Sequence, residues 1–219
     1  AIEPLDLMTA LHQTVDQCGH LLHRIDVRLV EVVRHGELPS TGRYASLEEH
    51  DAAPLPGFAE ALQARGPVLT LSRSAGEIDL TEQDSIAAAA ERLKVHAPFA
   101  RIIIAAGVLH GDGAAPERSL RELDADRLAR SFAVNAIGPA LCARYFLPLL
   151  ATDGRFAALS ARVGSISDNR LGGWYGYRAS KAALNQFIRT AAIELARSRP
   201  QAVCVPLHPG TVDTAMSRP

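Results

Sequence analysis

The sequence predicts a three-layer α/β/α fold, a doubly wound parallel sheet flanked by helices. Two observations predict it. From about residue 57 onward, short apolar runs alternate with longer helical patterns, the order expected of right-handed crossovers that feed a parallel sheet. One of these runs, "RIIIAAG" at 101–107, is also continuous rather than alternating, as expected of a strand covered on both faces. With 47% hydrophobic residues in 219, the chain can bury one large core, and we read residues 1–219 as a single domain.

The elements follow in order. Residues 6–25, "DLMTALHQTVDQCGHLLHRI", can be drawn as an amphipathic helix, and 26–33, "DVRLVEVV", as a strand. Residues 34–57 read as turn and loop, so that 1–56 form an atypical N-terminal segment. "GFAEALQARG" (57–66) is a helix that stops at Gly66, where Pro67 bars continuation. "PVLTLSR" (67–73) is a strand, and Thr81 opens the helix "TEQDSIAAAAERLK" as an N-cap. "RIIIAAG" (101–107), "RFAALSA" (155–161) and "AVCVPLH" (202–208) are further strands. They are separated by the helical stretches 124–150 and 177–198.

Composition narrows the functions. The net charge is −1 with no basic block, which does not point to nucleic acid or an anionic membrane as partner. The longest apolar run, "IIIAAGVL", is too short to span a bilayer. The acidic opening "AIEPLD" lacks the pattern of a secretory signal. Cys18, Cys142 and Cys204 are odd in number and set among apolar residues, as in a protein of the reducing cytoplasm. No metal-ligand spacing is present.

The chemistry concentrates in "GGWYGYRASKAAL" (172–184). The chain has two lysines, Lys94 and Lys181, and Lys181 stands four residues after Tyr177, on the same helical face. Tyr175 has Ala179 at that spacing. A phenol titrates near ~10, and a neighbouring ammonium lowers that value. A tyrosine so tuned can serve as general acid or base toward an alcohol or carbonyl oxygen.

"YRASKAALNQFIRTAAIELA", "FAVNAIGPALCARYFLPLL", "LHPGTVDT" and "IIIAAGVLHGDG" together resemble the short-chain dehydrogenase/reductase family, over residues 57–217. The wording "SARVGSISDNRLGGWY" is most similar to its C-factor branch. The resemblance implies a Rossmann-like fold and an NAD(P)-dependent oxidoreductase that moves a hydride between nicotinamide and a small carbonyl or secondary alcohol. It implies Tyr177 as acid/base, Lys181 on the nicotinamide ribose, and Asn135 fixing a water that links Lys181 to solvent. A hydroxyl donor is expected after the fifth strand of the family. Ser160 is favoured, Ser165 is the alternative, and Ala161 falls on the family's own position.

For the cofactor, the resemblance implies NADP, with NAD possible. Arg73 would meet the 2′-phosphate, and Asp79 the adenine amino group. Ala106 and Gly107 would pass the adenine ribose, with Ala105 where the family prefers asparagine. Pro209, Gly210, Val212 and Thr214 would line the nicotinamide end.

The family's glycine-rich phosphate loop is not recognisable. Its expected place, Glu48 to Leu55, has no glycine and three acidic residues, and the partial match from Ser40 lies too early. The chain also stops at "TAMSRP", where the resemblance implies a covering loop, another helix and another strand. These departures support a second function, a non-catalytic binding or signalling protein of the same fold. The helices within 124–150 and 177–198 are apolar over much of their circumference, as expected of a homodimer or homotetramer.

Overall fold

The computed structural model describes residues 27–34 (backbone), 67–109 and 115–208. Among these residues, five strands form one sheet in the order β2-β1-β3-β4-β5. They are β1 (Val27–Arg34), β2 (Val68–Ser72), β3 (Phe99–Gly107), β4 (Leu150–Leu159) and β5 (Val203–Leu207). Four helices accompany them: α1 (Gln83–Leu93), α2 (Ala125–Phe132), α3 (Gly138–Phe146) and α4 (Tyr175–Ser198). Between α2 and α3 the chain stays helical through a π-type segment, Ala133–Ile137. The expected helices at 6–25 and 57–66 lie outside the described residues.

β3, β4 and β5 are parallel neighbours. β2 points the same way as β3, because β1 lies between them and runs antiparallel to both. Among the described strands, that reversal of β1 is the one departure from an all-parallel sheet. An apolar strand pattern carries no direction, and a strand held between two neighbours satisfies its backbone either way.

The register has a consequence for the site. Val27 pairs with Gly107 and Arg34 with Phe99, so β1 ends at the edge where β3 begins. Gly107 marks the opposite edge, where the parallel strands end and where ligands bind in open α/β sheets.

The core lies between the sheet and the helices on one face. Ile102, Ile104 and Phe156 from the strands, Ile86 from α1, Phe146 from α3, and Leu184 and Ile188 from α4 are all fully buried in one cluster. Each such side chain contributes about 1.5–3 kcal/mol relative to exposure. Ile103, Ala157 and Leu207 point to the other face, where they pack with Val68, Leu159 and Val205. Both faces of β3 are therefore apolar, which explains its unbroken hydrophobic run.

By length and composition the run Ala125–Leu149 would pass for a membrane span, but half of its apolar window is buried inside the molecule. It is a core helix. α1 begins at Gln83, with Glu82 rather than Thr81 in the cap position and no side-chain cap bond. The expected Thr81 cap is replaced by a bond from its hydroxyl to Asp79 Oδ1 at 2.7 Å.

Candidate active site

Three elements converge at the sheet edge marked by Gly107. α4 carries Tyr177 and Lys181, the π segment carries Asn135, and the end of β3 lies between them. Asn135 is fully buried. Its Oδ1 accepts the Val108 N–H at 2.7 Å and its Nδ2 donates to the Val108 carbonyl at 2.8 Å. The amide thus pairs with the main chain much as one more strand residue would. Nδ2 also reaches Ser180 Oγ at 3.1 Å and Ser131 Oγ at 3.3 Å. Ser180 in turn donates to the Tyr177 carbonyl at 3.0 Å.

Ser131 and Ser180 were not singled out from the sequence, although Ser180 directly precedes Lys181. Small hydroxyls carry no pattern until the fold brings two helices together. The Asn135 side chain is spent on Val108 and Ser180, so its structural work is to lock α2, β3 and α4 to one another. A π segment at such a junction is a frequent mark of a functional site.

Lys181 is almost fully buried, and its Nζ donates to the Leu159 carbonyl at 2.8 Å. The same Nζ lies 5.8 Å from the Tyr177 ring centroid. A Cβ on Gly107 would stand 3.1 Å from Nζ and 3.3 Å from Asn135 Oδ1, so that glycine makes room for both. Gly164, in the turn after β4, presses on α4 in the same way. A Cβ there would meet the Lys181 backbone at 2.9 Å.

The electrostatics correct one expectation. The ammonium does not pull the Tyr177 phenol down. Burial pushes Tyr177 up to about 12 and Lys181 down to about 7. Both shifts have one cause, since a charge at this edge is removed from water. Burial outweighs the attraction of an ammonium that faces the ring at cation–π distance. Tyr177 therefore holds its proton at neutral pH, while Lys181 is poised between its two forms.

Ser160 is buried, and its hydroxyl donates to Asn185 Oδ1 at 2.6 Å. That bond ties the end of β4 to α4, one helical turn beyond Lys181. Ala161 is extended, at φ −144° and ψ 150°, so its methyl points to the side opposite Ser160. Ser165 accepts the Asp168 N–H at 3.3 Å, which leaves its own O–H able to donate.

At the far side of the same edge, Arg73 follows the end of β2. Its Nε bridges to Asp79 Oδ2 at 2.6 Å, with the Arg73 side chain 46% exposed. Burial pushes the Asp79 carboxyl up, but bonds from Thr81 and the Arg73 guanidinium outweigh it, and the net shift is downward. Ala106 is buried in β3, ending at Gly107. Pro209, Gly210, Val212 and Thr214 lie outside the described residues, as does the expected phosphate-loop position.

A nicotinamide dinucleotide fits the two ends of this edge. Lys181 and Tyr177 would suit its ribose and ring, and Arg73 and Asp79 its adenosine. Between them, no described residue frames the diphosphate, and β1 ends at the other edge.

Comparison with known proteins points to one family. Residues 56–219 match the family model described as enoyl-(acyl carrier protein) reductase. The C-signal protein of Myxococcus xanthus is 41% identical over 104 residues, 46% of this chain and 61% of that protein. The 1-hydroxy-2-glutathionyl-2-methyl-3-butene dehydrogenase of Rhodococcus sp. is 32% identical over 142 residues, 64% of this chain and 59% of that protein. The chain thus spans about three fifths of the length of these relatives. Among solved structures, a short-chain dehydrogenase/reductase from Burkholderia multivorans with bound NADP superposes with a TM-score of 0.61 at 32% identity. That match covers 77% of this chain and 67% of the other. The carbonyl reductase Sniffer of D. melanogaster superposes with a TM-score of 0.57 at 27% identity, covering 64% and 60%. On a family match that takes in three quarters of the sequence, and on a tyrosine and lysine that share one helical face at the sheet edge, the chain belongs to the short-chain dehydrogenase/reductase family.

Proposed function

We propose that this protein is an oxidoreductase that moves a hydride between a nicotinamide dinucleotide, NADP in preference to NAD, and a small-molecule carbonyl or secondary alcohol. The observation that carries the reading is the placement of Lys181 Nζ against Gly107, Leu159 O and the Tyr177 ring at the carboxyl edge of the sheet. The bound dinucleotide supplies the hydride.

The chain supplies the rest. Tyr177 keeps its phenolic proton at neutral pH because its half-buried ring is largely withdrawn from water, so in the reductive direction it is a proton donor to a carbonyl oxygen. Lys181, near the midpoint of its titration at pH 7, can bind a ribose hydroxyl and return a proton toward Tyr177. Asn135 holds Val108 and α4 in register, which keeps Gly107 open to Lys181. Arg73 answers a 2′-phosphate, which favours NADP. Ser160 can donate to a substrate oxygen only by giving up Asn185, so oxyanion-type support is the weakest part of the site. A reducing cytoplasmic setting and a homodimer or homotetramer belong to the same reading.

The second reading, a binding or signalling protein that does not turn over, is favoured by Ala161 and by the direction of β1. NADPH fluorescence titration, paired with Tyr177→Phe in a carbonyl reductase assay, separates the two. The oxidoreductase reading expects saturable NADPH binding and at least a hundredfold loss of kcat in Y177F, with NADPH affinity kept within about threefold. Absence of binding at millimolar NADPH, or full activity in Y177F, would overturn it.

A further inference from the structure

The helix that carries Tyr177 and Lys181 has no cap of its own. Its cap position is Trp174, which offers no side-chain bond and lies at φ 53°, in the left-handed region that bulky residues avoid. Its first turn contains no acidic residue. The first N–H groups of a helix are orphan donors at the positive end of its dipole and need acceptors.

An acceptor arrives from a distant part of the chain. Glu117, in the irregular segment before α2, is only 7% exposed. Its Oε2 accepts the Gly176 N–H at 3.4 Å, and its main-chain carbonyl accepts the Trp174 N–H. A Cβ on Gly176 would stand 3.1 Å from Glu117 Oε1 and 3.1 Å from Leu128 Cδ2. A glycine at 176 is therefore what lets the carboxylate close on the helix end. A buried carboxylate is costly unless hydrogen-bonded, and here the open end of α4 meets that need. The residue after Gly176 is Tyr177.

We propose that Glu117 is a positioning residue for the proton donor. It caps α4 from outside, side chain and backbone together, and so fixes the turn that presents the Tyr177 phenol. Lys181 is held separately, by Leu159 O. Loss of Glu117 therefore moves the phenol relative to the amine and leaves the cofactor-facing lysine in place. This inference rests on the oxidoreductase reading for its kinetic arm only.

The test compares Glu117→Ala, Glu117→Gln and Gly176→Ala with the wild-type full chain. It uses NADPH-dependent carbonyl reduction and amide hydrogen exchange of a peptide spanning 174–181. E117A is expected to lower kcat about tenfold or more with KM for NADPH within about twofold. Exchange at 174–178 is expected to rise about tenfold, with the far end of α4 unchanged. E117Q keeps an acceptor for the Gly176 N–H and is expected to restore kcat to within a few-fold of wild type. Should E117A fail to fold, G176A decides, because its methyl displaces Oε1 and should give the same kcat-only loss.

Wild-type kinetics and local exchange in E117A or G176A would overturn the proposal. So would an E117Q variant as impaired as E117A, or a loss of protection spread over the whole chain with kcat and KM changing together. If the wild-type chain shows no reductase activity, the oxidoreductase reading falls. The exchange arm then decides the capping contact by itself.

Discussion

Replacing Lys181 with methionine should make the protein more stable at neutral pH and less stable at high pH. The amine is almost completely buried, and burial takes it from 10.5 to about 7. Between those values the unfolded chain binds a proton that the folded chain does not. Stability must therefore rise with pH across that window and be lost as pH falls through it. At about 1.36 kcal/mol per pH unit, the cost of Lys181 is about 4 kcal/mol at pH 7, about 2 at pH 9 and under 1 at pH 10. Against this stands the bond to Leu159 O, worth about 1 kcal/mol. Methionine removes both terms while filling a similar volume.

K181M should thus gain about 3 kcal/mol at pH 7, or roughly 6–12 °C in Tm for a chain of this size. The gain should shrink with rising pH and change sign near pH 10. Chemical denaturation of both proteins at several pH values between 6 and 10.5 reads this directly, since other titrating groups cancel in the difference. A pH-independent difference, or a wild type more stable than K181M at pH 7, would refute the reasoning that burial dominates this site.

Two further substitutions probe the edges of the site. Arg73→Ala should raise KM for NADPH about tenfold, roughly 1.4 kcal/mol, and leave KM for NADH nearly unchanged; equal effects on both would remove Arg73 from phosphate recognition. Ala161→Ser places a hydroxyl on the side of the β4 end opposite Ser160, without disturbing the Ser160–Asn185 bond. It should raise kcat about tenfold or more, given that oxyanion donors are worth about 10²–10³ in rate. An unchanged kcat would show that the site does not use a donor at that position.

Much of this was legible in the sequence. The strands at 68–72, 99–107 and 203–207 are short, mostly apolar runs with clear ends, and the Tyr177–Lys181 spacing survives in α4 because a helix repeats every 3.6 residues. The direction of β1 was not legible, since "VRLVEVVR" reads equally well either way. Nor was the sign of the Tyr177 shift. Sequence spacing reports that an amine is near, but not that the whole edge is withdrawn from water. Glu117 escaped notice because it lies 59 residues from its partner Gly176, and a lone glutamate beside a proline reads as loop. Ser160 stood out in the sequence, but which way its hydroxyl turns depends on Asn185, a residue with no motif of its own.

The most direct measurement is hydride tracing. The protein, NADPH deuterated at C4 of the nicotinamide, and a panel of apolar ketones and aldehydes are incubated together, and the alcohol products are examined by mass spectrometry. Deuterium from one face of the nicotinamide, found on the carbinol carbon and lost from the products of Y177F, is the expected result. Products without deuterium from either face, or the absence of any alcohol above the enzyme-free control, would contradict the account.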